Sequence, residues 1–252
     1  MTDASPSHLA ARAELTLLAS LVGAPGADLV IAGEGNLSIT TGHGTLLVTP
    51  SGSRLVDIVP ADFVEIRPDG LAGALDDAIP DADWLELILA SRVDASAARP
   101  TVEVGLHAVI SSLVGEGVVA HTHPTDVLAV LCGGRAREFA CLRLFPDHVV
   151  MLGEGDALVP YLDPGRELAA GVRDAMLVHR AENGTWPRVV LAENHGIFVI
   201  GSSAREAYER SLMVVKAARI FASGQVTGLS PSDVARIAGR EDEAYRQSRL
   251  AH

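Results

Sequence analysis

The sequence predicts an α/β fold in which a largely antiparallel sheet is covered by helices. Three observations carry that reading. Segments with apolar residues at helical spacing alternate along the chain with short runs rich in strand-forming residues. Several of these runs are joined by hairpin-sized turns rather than by the long crossovers of a parallel sheet. The 252 residues, 48% of them hydrophobic, suffice for one full core, so a single domain over 1–252 is expected.

Residues 5–22 read as an opening helix with Leu9, Leu17, Leu18 and Leu21 on its inner side, closed by Gly23 ahead of Pro25-Gly26. Residues 29–32 and 37–40 read as short strands flanking Gly33-Glu34-Gly35-Asn36, and 45–48 as a third stopped by Pro50. Together they suggest a small antiparallel meander. Residues 81–90 and 102–114 read as helices, the second with Val102, Leu106, Val109, Ile110 and Leu113 forming a stripe toward the core. The run Val118-Val119-Ala120-His121-Thr122-His123 reads as a strand. Pro124-Thr125-Asp126 then opens a helix that ends at Gly133-Gly134, where glycine accepts a left-handed cap. Residues 164–179 read as helix, and 189–191 and 197–200 as strands on either side of His195. Ser203 and Glu206 have capping-box spacing and open a long helix to about Ala222. Ser230-Pro231-Ser232-Asp233 starts a helical tail over 230–252 by the same logic.

Composition narrows the function classes. Mean hydropathy is +0.26, yet no uninterrupted apolar run approaches the roughly 18 residues of a membrane span, so no membrane partner is expected. The start Met1-Thr2-Asp3-Ala4-Ser5-Pro6 lacks the basic and apolar stretches of a secretory signal, which leaves a cytoplasmic location as the expectation. Cys132 and Cys141 form no CxxC pair and are expected to be packing thiols. A net charge of -12 and an aromatic content of 4% argue against a nucleic-acid partner. Any anionic ligand must then be held locally. There is no internal repeat and no low-complexity run.

Alternation along a strand places His121 and His123 on one face, with Thr122 pointing away. Two imidazoles at that spacing can seat a metal ion, and a third nitrogen can come from Asn194-His195-Gly196. Three neutral histidines with an open position suit zinc and leave room for substrate oxygens. His195 lies in a turn where Gly196 permits close backbone approach or a positive φ, and Asn194 serves that turn. Glu103 lies in the first turn of its expected helix, where the dipole favours the carboxylate, and it can act as a proton shuttle if it reaches the metal. On helix position alone it would be a solvated residue. His107, four residues on, shares its face and reads as a packing or supporting residue rather than a ligand. His8, His43, His148, His179 and His252 read as hydrogen-bonded core or surface residues. Gly33-Glu34-Gly35-Asn36-Leu37-Ser38 is no dinucleotide loop, because Ser38 replaces the last glycine and a strand follows where a helix is required. It and Thr49-Pro50-Ser51-Gly52 are instead candidate anion cradles.

In this order, GEGNLS, VTPSG, RPTVE, VVAHTHP and ENHGIFVIG resemble the class II aldolase/adducin family over about residues 9–222. That resemblance implies a three-layer α/β/α domain with a mostly antiparallel central sheet, assembled as a homotetramer. It implies one divalent metal per subunit, zinc first, with manganese or cobalt as alternatives. His121, His123 and His195 would be the ligands and Glu103 the catalytic acid/base. Asn36, Ser51 and Gly52 match the family's phosphate-binding positions, with Thr101 from the helix start, and Tyr245 is a candidate equivalent of a tyrosine from the C-terminal region. Family aldolases carry two adjacent hydroxyl residues before the Glu, whereas Thr101-Val102-Glu103 has one. The missing donor predicts looser phosphate binding, or a carboxylate or neutral polyol in its place.

The function expected from the resemblance is a metal-dependent aldolase. It would cleave a ketose phosphate or sugar acid through a metal-stabilised enediolate. A decarboxylase or 4-epimerase on the same site is the nearest alternative, and a non-enzymatic adducin-like scaffold is the third.

Overall fold

A computed structural model describes residues 6–77 and 79–242. Among the described residues, seven strands form one sheet. β1 (Asn36–Thr40), β2 (Leu46–Val48) and β3 (Val64–Ile66) make the antiparallel meander. β4 (Val118–Thr122) joins it antiparallel to β1, and β7 (Gly196–Gly201) pairs antiparallel with β4. The hairpin partner of β7 is β6 (Val189–Ala192), and β5 (Ala157–Val159) lies parallel to β6 at the edge. The sheet is therefore mixed but mostly antiparallel, as expected.

Both faces are covered, which is why central β4 is buried along its whole length. Val118 and Ala120 point into a core shared with α1 (Pro6–Val22), α5 (Thr125–Leu131), α6 (Ala136–Cys141) and α9 (Ala204–Ala222). Val119 points the other way, into a core with α2 (Asp69–Gly73), α3 (Asp81–Ala90), α4 (Val104–Val114) and α8 (Arg166–Asn183). These are the three layers. A third, small cluster joins α7 (Pro146–Leu152) to α10 (Pro231–Ala238) through Val149, Val150, Val234 and Ile237.

Several expectations are corrected. On α1 the buried face is Ala11, Leu15, Leu18, Ala19 and Val22, while Leu9 and Leu17 are 58% and 46% exposed. Alanines that allow close helix packing, not the leucine count, define the stripe. Residues 29–32 form no strand, because Asp28 and Ala32 take positive φ and break the extended path. Val102 is 46% exposed rather than on the core stripe. The helix begins at Val104 with Glu103 as its cap, so Val102 precedes the helical repeat. Cys132 and Cys141 are exposed, not packed. At the start of α9, Ser203 accepts from the Glu206 N–H as a cap should, but the Glu206 carboxylate reaches the N–H of Ser202 instead of Ser203.

Candidate metal centre

The register of the sheet assembles the site. On β4, His121 faces α4 and lies opposite Phe198 of β7. The two rings stack with centroids 4.2 Å apart. His123 follows the strand end, its N–H donating to the Leu29 carbonyl at 2.8 Å. His195 comes from the β6–β7 turn, where Asn194 takes the left-handed conformation at φ 55. Gly196 is required by close approach: a Cβ there would lie 2.6 Å from both the Thr122 carbonyl oxygen and His123 Cδ2. Gly35 plays the matching part ahead of β1, with φ +69 and a Cβ position 2.6 Å from the His121 carbonyl oxygen.

The three imidazoles converge through Nε2. His121 Nε2 is 2.9 Å from His123 Nε2 and 3.1 Å from His195 Nε2. His121 Nδ1 donates to the Ile197 carbonyl at 3.0 Å, which leaves the Nε2 lone pair facing its two neighbours. A cation resolves that crowding of lone pairs. Two nitrogens bound to tetrahedral zinc at the usual bond length are about 3.3 Å apart, close to the observed spacings, so the donor set fits a metal ion. Among the described residues this is also the group of three whose ligand atoms all lie within 4.8 Å of one another.

Glu103 completes the cluster. It is 7% exposed, not solvated. Oε2 lies 3.2 Å from His121 Nε2 and accepts a 2.7 Å hydrogen bond from Asn36 Nδ2. Oε1 lies 3.0 Å from His195 Nε2 but makes no well-oriented hydrogen bond. Burial pushes the carboxyl pKa up, but the neighbouring His121, the close His195 and the Asn36 donor outweigh it and hold the group well below the usual carboxylate range. His123 is pushed down to about 3 by burial and by His121 and His195. It is therefore neutral and able to ligate.

The loop 49–52 is pinned beside 99–101 by a Pro50–Pro100 bridge, with Ser51 N–H donating to Arg99 O at 2.8 Å and Thr101 N–H to Thr49 O at 3.0 Å. Ser51 and Gly52 are exposed there, and Thr101 is buried. Asn36 is buried away from solvent, with its amide engaged at both ends by Glu103 and His107. Tyr245 lies outside the described residues. Sequence reasoning put His107 on the right face but not its partners Asn36 and Ser38, and it missed Phe198 under His121. The available signal was spacing: Asn36 and Ser38 are two apart on one strand face, Glu103 and His107 four apart at the start of α4.

The fold and this histidine–glutamate cluster define a candidate metal-dependent enzyme scaffold. Residues 19–222 match the model of the class II aldolase and adducin N-terminal domain, and the chain belongs to that family. It is 29% identical over 208 residues to 3-oxo-tetronate 4-phosphate decarboxylase of Escherichia coli (strain K12), covering 82% of this chain and 84% of that one. The protein of the same name from Pectobacterium atrosepticum is 28% identical over 241 residues, with 94% and 96% covered. Among solved structures, YgbL from Klebsiella pneumoniae superposes with a TM-score of 0.70 at 22% identity, covering 92% of this chain and 99% of that one. An L-fuculose 1-phosphate aldolase superposes with a TM-score of 0.68 at 20% identity, covering 96% and 98%.

Proposed function

We propose that the protein is a divalent-metal-dependent carbon–carbon lyase that decarboxylates a phosphorylated 3-oxo sugar acid. The observation that carries the reading is the buried Glu103 carboxylate set beside His121 and His195, two of three imidazoles whose nitrogens converge on one point. The choice of decarboxylation over aldol cleavage is supported by likeness to the named decarboxylases along most of the chain.

His121, His123 and His195 would hold the ion, zinc first and manganese or cobalt as alternatives. When bound it supplies Lewis-acid stabilisation of negative charge developing on substrate oxygens. The C1–C2 bond of a 3-oxo acid breaks with its electron pair moving into C2–C3, so carbon dioxide leaves and an enediolate forms. The Glu103 carboxylate would take a proton from water and pass it to C2, giving a three-carbon keto phosphate, while the hydroxide left behind combines with the released carbon dioxide as bicarbonate. Glu103 Oε1, without a well-oriented hydrogen bond, is the oxygen that would carry that proton. Ser51, Gly52 and Thr101 form the proposed phosphate contact, and the single hydroxyl before Glu103 makes it a spare one. Assembly as a homotetramer belongs to the same reading.

Product analysis tests the proposal. Protein supplied in turn with zinc, manganese and cobalt is given 3-oxo-tetronate 4-phosphate and ketose phosphates, and carbon dioxide and carbonyl fragments are measured. Carbon dioxide with a three-carbon keto phosphate is expected. Two carbonyl fragments without carbon dioxide would make it an aldolase, and stereochemical inversion alone an epimerase. A chain that holds no metal and turns over nothing would be a scaffold.

A further inference from the structure

Behind Glu103 runs a buried chain of hydrogen bonds that proton transfer does not itself require. His107 is fully buried on α4. Its Nδ1 lies 2.7 Å from Ser38 Oγ and its Nε2 lies 2.6 Å from Asn36 Oδ1. The Asn36 amide nitrogen then donates to Glu103 Oε2 at 2.7 Å. Asn36 and Ser38 project from the same face of β1, and Glu103 and His107 stand one turn apart at the start of α4. The four side chains therefore meet as two facing pairs.

One arrangement of hydrogens satisfies all of them. If Nδ1 carried the ring proton, Nε2 would have to accept, and the Asn36 amide would turn its nitrogen toward His107. Its oxygen would then face the Glu103 carboxylate at hydrogen-bond distance with no proton between them. In a buried site that repulsion is large. The consistent arrangement has Ser38 Oγ–H donating to Nδ1, Nε2–H donating to Asn36 Oδ1, and Asn36 donating to Glu103. With both ring nitrogens committed, His107 is neither a metal ligand nor a path to solvent.

We propose that His107 is a positioning residue: locked as the Nε2–H tautomer by Ser38, it fixes the Asn36 amide and, through it, the Glu103 carboxylate beside the histidine cluster. This gives Asn36 the role of carboxylate anchor rather than anion contact. The proposal rests on Glu103 being the acid–base group but not on which carbon–carbon bond is broken.

Long-range proton–nitrogen NMR on histidine-labelled, zinc-loaded protein, assigned with H107Q, tests it directly. A protonated Nε2 and an acceptor Nδ1 are expected for His107, and the opposite tautomer overturns the proposal. Kinetics supply the second arm. His107→Leu should keep its zinc and lower kcat about 10- to 100-fold with little change in KM. His107→Gln, which retains an N–H donor, should recover most of the loss. The double variant N36A/H107L should be no slower than N36A, because both act through one chain. Additive losses, or a folded H107Q as slow as H107L, overturn the role. If wild-type protein turns over no substrate, the proposed function fails, while the tautomer measurement still decides the positioning. That measurement decides equally if H107L does not fold.

Discussion

At Glu103, burial and charge pull in opposite directions, and the donors around the carboxylate decide the outcome. An acid buried this deeply would ordinarily be neutral, yet His121, His195 and Asn36 keep it ionised. The E103Q amide keeps the size and loses the charge and the capacity to take up and release a proton. It should retain zinc, measured by metal analysis, while turnover falls about 10²- to 10⁴-fold. A variant with normal turnover would remove Glu103 from proton transfer. His123→Ala takes away one of three nitrogens, so zinc that survives dialysis in the wild type should be lost from it. Retention of a full equivalent would count against the ligand set. The His121-Thr122-His123 pair was legible in the sequence because strand alternation is a local rule. The burial of Glu103 was not, because helix position alone makes it a solvated residue.

Among the elements, the β6–β7 hairpin and α9 show two kinds of local constraint. The hairpin seats His195 only because residue 196 lacks a side chain. Gly196→Ala would drive a methyl into the Thr122 carbonyl and the His123 ring, at a cost of about 1–3 kcal/mol. It should lower both thermal stability and zinc affinity, read by melting curves and metal titration. A variant that loses neither would refute the close-approach account. The α9 cap is different, since Ser203 accepts from Glu206 N–H at 3.2 Å, at the opposite end of β7 from the His195 turn. Ser203→Ala should cost about 1 kcal/mol and leave zinc content unchanged. Element existence was mostly readable from periodicity and caps, as at 81–90, which the helix matches residue for residue. Faces were read less well. Leu9 and Leu17 carry an apolar signal without being buried, and Val102 falls outside a helix that its spacing fits.

For the whole molecule, acid is the condition that separates folded from unfolded chains. His148 is fully buried and pushed down to about 3 by burial and by the nearby Arg143 guanidinium. In the unfolded chain it returns to an ordinary value of about 6.5. The unfolded chain therefore binds a proton that the folded chain refuses, and stability present above pH about 6.5 is lost as pH falls toward 3. Urea midpoints of the chelated protein should drop between pH 7.5 and 5.5, and H148F should show a shallower drop. An unchanged slope in H148F would remove His148 as a contributor. Arg143 itself is paired with buried Asp156 at 2.7 Å. Asp156→Ala strands the guanidinium and should destabilise by about 3–5 kcal/mol, seen as a lower melting temperature.

By itself the sequence determined what depends on short-range rules. Residues two apart on a strand share a face, serine and glutamate three apart start a helix, and a glycine beside a histidine marks a tight turn. Those rules identified His121, His123 and His195 and most of the helices. The tertiary structure alone decided what depends on residues far apart in the chain meeting at one point. Asn36 and His121 pair across β1 and β4, His107 reaches back 71 residues to Asn36, and Glu103 is buried because α4 is pressed onto that face. Such contacts are set by the sheet register and the packing of both layers, neither of which any single segment encodes.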